Sequence, residues 1–380
     1  MKSIGTLALL ALLAQPSPGV AGQKPSSSET VLISCFGPAN FLRFSPDGRE
    51  LARACGVAFR GPKMAVLFDT GNYTRARTFP NGLRVVAYSP DGTRMATAET
   101  EDGARVWDAT LPGTGFHRKG RSLERPPAGY LVELYKLDTP LRVLEAPSRE
   151  PGVHVFWTGF SPDGRHLVTT HRNGHVKVWE TSSWTLEADL ALTQSEVHAA
   201  AFAPDGTSLV IGDVDGVLHQ WSFASKAEVK AMRTERPAIA GVAFGPDGRT
   251  LVTAHQIAGT WSGGNWLPPP SSASGNAVMI WNTDTWTAVT RQGFGSAALS
   301  RDGKMLALGG DHIELIDPRS QQAIRTIELR QATIAEMNGF PPKQAIPMSV
   351  VALAFSPDGG TLAAGCQDGT VRLVKVNPGE

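Results

Sequence analysis

Seven times in this 380-residue chain a short apolar run ends in a turn that reads Ser-Pro-Asp-Gly or a near copy of it. The copies are Ser45–Gly48, Ser89–Gly92, Ser161–Gly164, Ala203–Gly206, Gly245–Gly248, Ser300–Gly303 and Ser356–Gly359. Directly before them stand Phe44, Tyr88, Phe160, Phe202, Phe244, Leu299 and Phe355. A unit this short cannot bury a core alone, so a chain of such copies must stack them side by side. Pro presets φ, Asp bonds nearby backbone and Gly takes the left-handed position. The motif therefore reports architecture, and function is to be sought where the copies differ.

Each Asp-Gly is followed by a short apolar strand, such as His166–Thr170 or Ser208–Gly212. A second turn then often carries Asp-Gly or Asn-Gly, at Asp102-Gly103, Asn173-Gly174, Asp215-Gly216 and Asp368-Gly369. These dipeptides accept the positive φ angles of a tight hairpin. The next strand ends in Trp and a polar residue at Trp107-Asp108, Trp179-Glu180, Trp221-Ser222 and Trp281-Asn282. Diverged copies end in Phe68-Asp69, Ile316-Asp317 and Val374-Lys375. A fourth strand, such as Leu141–Leu144, leads onward, so each unit reads as a four-stranded antiparallel meander.

On these residues, and above all on Phe160–Glu180, Phe202–Ser222 and Phe355–Val376, the chain resembles the WD-repeat (Trp-Asp repeat) β-propeller family. The resemblance covers nearly all of residues 23–380 and implies an all-β fold used for protein interaction. The Gly-His dipeptide that opens such repeats is missing, so the His–Ser/Thr–Asp–Trp tetrad of the family is not expected. The turn aspartates at 47, 91, 163, 205, 247, 302 and 358 share a basic period of 42, stretched in three places. That spacing predicts seven blades. The last unit ends soon after its third strand, Thr370–Val376, while Val31–Cys35 has nothing else to pair with. The N-terminal segment is expected to supply the missing outer strand and close the ring.

A net charge of +1 gives no global electrostatic case for nucleic acid or an anionic membrane. At the N-terminus, Lys2, the apolar run Ile4–Ala14 and the small residues Gly19–Gly22 read as a signal peptide over residues 1–22. The run is too short to span a bilayer. No Cys closely follows it, which sets aside a bacterial lipoprotein signal. The expectation is a bacterial-type exported propeller, periplasmic or extracellular and monomeric, with no membrane segment after signal removal. The three cysteines, Cys35, Cys55 and Cys366, are too few for a disulfide scaffold and read as small buried residues.

The repeats differ through insertions near residues 109–130, 256–276 and 331–347. In such a meander the second-to-third turns and the links between blades share one face, and the Ser-Pro-Asp-Gly turns emerge on the other. The insertions of the fifth and sixth units fall on the first of these faces. That of the second unit is ambiguous, because Ala104–Asp108 and Tyr130–Leu137 can both serve as third strand. Trp261 and Trp266, set among Gly and Pro, suit a partner or a sugar ring. Arg118, Lys119 and Arg121, flanked by His117 and Arg125, form a basic cluster suited to an acidic partner.

One ring position, at the end of the second strand, reads Cys55, Glu99, His171, Asp213, His255, Gly310 and Cys366. Six of these can ligate metal, but they belong to different blades, so no metal is expected. Before the turn aromatics the inner strands carry Ala87, Gly159, Ala201, Ala243, Ala298 and Ala354, but Arg43 in the first unit, with Arg53 in the neighbouring strand. An Arg there needs channel water or a carboxylate, and a structural pair with Asp or Glu is the simpler expectation.

No nucleophile elbow, zinc helix or phosphate loop is present. The expected function is a non-catalytic scaffold, without cofactor, that binds a protein through one elaborated face. The alternative is an exported propeller hydrolase, lyase or carbohydrate binder using that face or the central channel.

Overall fold

The computed structural model describes residues 29–33, 39–54, 64–80, 83–99, 103–109, 142–144, 155–256, 260–262, 265–267, 275–329 and 349–376. The signal segment, the 331–347 insertion, Cys35 and Cys55 lie outside these residues, as does all of the 109–130 insertion after Ala109. Among the described residues no helix is long and apolar enough to cross a membrane.

The fold is an all-β propeller of four-stranded antiparallel blades. Six blades take their strands in chain order. Blade one is Phe41–Phe44, Glu50–Ala54, Met64–Asp69 and Arg75–Pro80. Blade two is Leu83–Tyr88, Arg94–Glu99, Gly103–Asp108 and Arg142–Leu144. Blade three is Val155–Phe160, His166–His171, His175–Glu180 and Leu186–Ala191. Blade four is Val197–Phe202, Ser208–Asp213, Val217–Ser222 and Ala227–Arg233. Blade five is Ile239–Phe244, Thr250–His255, Ala277–Asn282 and Thr287–Gln292. Blade six is Ser296–Leu299, Leu306–Gly309, Ile313–Ile316 and Ala323–Ile327.

A further four-stranded sheet is composite. Val350–Phe355, Thr361–Cys366 and Thr370–Lys375 are joined by Glu29–Ile33, which pairs antiparallel with the last of them from Glu29↔Val374 to Ile33↔Thr370. The pairing strand starts two residues before the segment Val31–Cys35 singled out from the sequence. Inner strands pack on inner strands from each blade to the next, and Val350–Phe355 packs on Phe41–Phe44 of blade one.

The core lies between blades. The third residue after each turn Gly is Leu51, Met95, Leu167, Leu209, Leu251, Leu306 or Leu362, and each is fully buried. Each such side chain contributes about 1.5–3 kcal/mol through burial. All seven turn glycines adopt φ between 69° and 73°, as the motif requires. Neighbouring turns also touch. A methyl group built on Gly48 would stand 3.4 Å from the Pro357 ring, on Gly164 3.6 Å from Pro90, and on Gly303 2.8 Å from Pro246. Where Arg301 replaces the Pro, Gly359 of the following turn has open space beside it.

Blade two resolves the ambiguity in the sequence. Gly103–Asp108 is its third strand and Arg142–Leu144 its fourth. The Ala109 N–H donates to the Thr93 carbonyl beside the Ser89–Gly92 turn. The insertion carrying Arg118, Lys119 and Arg121 therefore leaves from the turn face. The insertion between His255 and Ala277 leaves from the opposite face, as does the link from Ile327 to Val350.

Candidate functional site

Three places distinguish this chain from a plain repeat: the blade-five hairpin, the polar seam between blades three and four, and the channel end of blade one. The hairpin pairs Thr260–Ser262 with Asn265–Leu267, and its register sets Trp261 directly opposite Trp266. The sequence thus builds a small second sheet on the opposite face, outside the four strands of blade five. Arg118, Lys119 and Arg121 lie outside the described residues.

At the polar seam, the Arg172 Nε–H donates to Glu196 Oε1 at 2.9 Å, and His198 Nε2 lies 3.0 Å from Glu196 Oε2. The Phe156 ring stands 4.2 Å from the His198 ring. Burial alone would raise the Glu196 pKa, but the bonds from His198 and Arg172 outweigh it and lower the pKa. Nearby, the Ser195 hydroxyl donates to Asp215. The seam is partly open, with Glu196 and His198 each about a third exposed at the side chain.

The ring position that drew attention for metal has another use. In blade five the Trp281 indole N–H donates to Thr253 Oγ1 at 3.0 Å, and Thr253 Oγ1 lies 2.9 Å from His255 Nε2. His255 Nδ1 lies 3.1 Å from the Pro237 carbonyl, which can only accept. The proton therefore sits on Nδ1, and the Thr253 hydroxyl donates to Nε2. Blade three repeats the arrangement through Trp179, Thr169 and His171 at 3.1 and 3.0 Å. A histidine two residues along the same strand thus joins Trp and Thr without a Gly-His dipeptide opening the repeat. The signal was visible as Thr-x-His ten residues ahead of Trp in blade three.

Blade four lacks this relay, having Ile211 at the Thr position. Instead Asp213 accepts from the Val217 N–H at 2.7 Å, and His219 stands 3.5 Å from Asp213 and 2.7 Å from Glu228. Burial alone would lower the His219 pKa, but the two carboxylates outweigh it and raise it. Burial alone would raise Asp213, yet His219, the Val217 N–H and Thr193 together lower it. Cys366 is a buried free thiol, pushed up to about 12 by burial. Among the described residues, no group of three His, Cys, Asp or Glu side chains is placed to hold a metal ion. The turn aspartates accept bonds from their own turns, such as the Ser161 hydroxyl on Asp163 at 2.6 Å.

Arg43 departs from the expected carboxylate pair: among the described residues it makes no ion pair or side-chain hydrogen bond. It is open to solvent, although it stands on an inner strand. Protein crowds it closely enough that desolvation draws its pKa below the ordinary arginine value, with Tyr88 acting in the opposite sense. The register sets Arg43 opposite Ala52 and Arg53 opposite Leu42. The two arginines therefore project from opposite faces of the blade, and Arg53 is fully buried.

The blades, their turns and the third strands that end in Trp define a β-propeller built from a repeated four-stranded unit. In accord with this, the model of the family described as WD domain, G-beta repeat matches residues 139–180, 183–222 and 344–375. The chain is similar to WD repeat-containing protein 1 of Xenopus tropicalis, at 27% identity over 38% of this chain and 26% of that protein. It is also similar to the Protein LST8 homolog of Drosophila melanogaster, at 26% identity over 45% of this chain and 46% of that protein. The matched regions span about a quarter and just under half of those two proteins.

Proposed function

We propose that this protein is an exported, monomeric, non-catalytic platform that binds a protein partner through the face carrying the blade-five hairpin. The reading rests on one observation: the second sheet, with Trp261 opposite Trp266, is added to a blade that is already complete. Paired aromatic positions on a rigid frame suit a binding hot spot. The composite sheet serves as the seventh blade, and Glu29–Ile33 is the clasp that holds the ring shut. The signal-like pattern of residues 1–22 supports export. The basic cluster Arg118, Lys119 and Arg121, on an insertion that leaves the blade beside the Ser89–Gly92 turn, is a separate contact for an acidic partner.

Affinity capture tests this reading, with the full chain set beside one deletion of residues 257–275 and one of residues 111–140. Loss of a partner only with the first deletion is the expected result. Identical partner sets from all three proteins would discard the hairpin as the site.

A further inference from the structure

Arg43 is the one departure from a ring of small residues. Its counterparts before the turn aromatics are Ala87, Gly159, Ala201, Ala243, Ala298 and Ala354. The registers make the positions equivalent: Arg43 lies opposite Ala52 as Ala87 lies opposite Ala96 and Ala201 opposite Val210. All stand on inner strands, which pack on one another around the propeller. Among these small residues only blade one carries a long cation at the position, and that cation is reached by solvent.

A crowded cation normally has a carboxylate beside it, because desolvation without compensation is costly. Two enclosed cations in this chain obey that rule. Arg372 is fully buried and stands 3.7 Å from Asp368, and the buried Lys177 stands 3.8 Å from Asp189. Arg43 does not, although its side chain is reached by solvent. The nearest acid on the neighbouring strand, Glu50, instead accepts the Tyr88 hydroxyl at 3.3 Å. The guanidinium keeps its whole fork of donors for something that enters with the water.

We propose that Arg43 forms an oxyanion site in the central channel, taking one carboxylate or phosphate group in bidentate fashion. The equivalent positions of the other blades are Ala or Gly and offer the anion no second charge. The site is independent of the proposed partner face, because it rests on the inner strands alone.

The test is calorimetric titration of the full chain with inorganic phosphate and, separately, with succinate, at matched ionic strength with sodium chloride. Wild type should bind at least one of the two saturably. Arg43→Ala, which installs the residue most blades already carry, should weaken that binding about tenfold or more while leaving the melting temperature in ligand-free buffer unchanged. Arg43→Lys, which keeps the charge but loses the fork, should fall between them. Binding of phosphate alone or succinate alone supports the site and names its anion. Absence of binding by both probes, or equal binding by wild type and Arg43→Ala, overturns it.

Discussion

Thr253 donates its hydroxyl to His255 Nε2 while accepting the Trp281 indole N–H, so one oxygen holds two buried rings in place. Replacement by Val, close in shape but without the oxygen, leaves both nitrogens buried and unsatisfied. Thr253→Val should therefore cost about 2–4 kcal/mol, read from urea unfolding. Thr169→Val should do the same in blade three. A loss well under 1 kcal/mol would show that the relay is incidental.

The turn glycines separate two costs that usually come together. Gly359 has open space where a methyl group would go, so Gly359→Ala should lose only the backbone cost of a left-handed residue, about 1–2 kcal/mol. Gly303→Ala meets the Pro246 ring at 2.8 Å and should lose more. Equal losses at the two sites would mean that adjacent turns are not in firm contact.

Acid should weaken the blades that hold buried neutral histidines. Burial, with Lys177 adding to it, pushes the His171 pKa from its ordinary 6.5 down to about 4. The unfolded chain then takes up a proton that the folded chain refuses, so stability falls as pH drops from 6.5 towards 4. The contribution over that window is about 3 kcal/mol. A urea-midpoint profile of wild type against His171→Gln checks it, since the variant should lose this slope.

His219 acts in the other direction. Its pKa is raised, so the stability it contributes is fully present below the unfolded value and is lost as pH rises through the folded one. His219→Gln should be destabilised most at pH 6 and least in alkali. A variant whose deficit does not change with pH would show that the charge between Asp213 and Glu228 contributes nothing.

The composite sheet predicts a specific failure. Removal of residues 22–36 strips the partner of Thr370–Val374 and exposes that strand's edge, so the melting temperature should fall and aggregation should rise. Unchanged melting would sink the role of Glu29–Ile33 as a clasp.

The sequence made the scaffold plain because the same physical demand recurs in every unit. A Gly at φ near 70°, a buried aliphatic residue three positions later and a Trp-ended strand leave the same trace each time. The Trp261–Trp266 segment was visible as a departure in spacing, but its pairing was not, since two three-residue strands carry too little pattern to fix a register. Blade two stayed ambiguous for a related reason: two stretches have the alternation of a third strand, and only the pairing of Val106 with both Ala96 and Arg142 distinguishes them. The isolation of Arg43 was hidden altogether. Whether a carboxylate faces it depends on neighbours from other strands, and no local pattern records that.

The pairing of Glu29 with Val374 also has a bearing on how the molecule is made. Most of the other strand pairs join neighbours in sequence and can form as soon as the chain passes them. This one joins the earliest described strand to the last, so it waits through the synthesis of everything between. Until Val374 emerges, Glu29–Ile33 lacks its partner strand and is open to proteases and to the wrong edge. Among the described strand pairs this one is thus the most delayed and the most exposed to error.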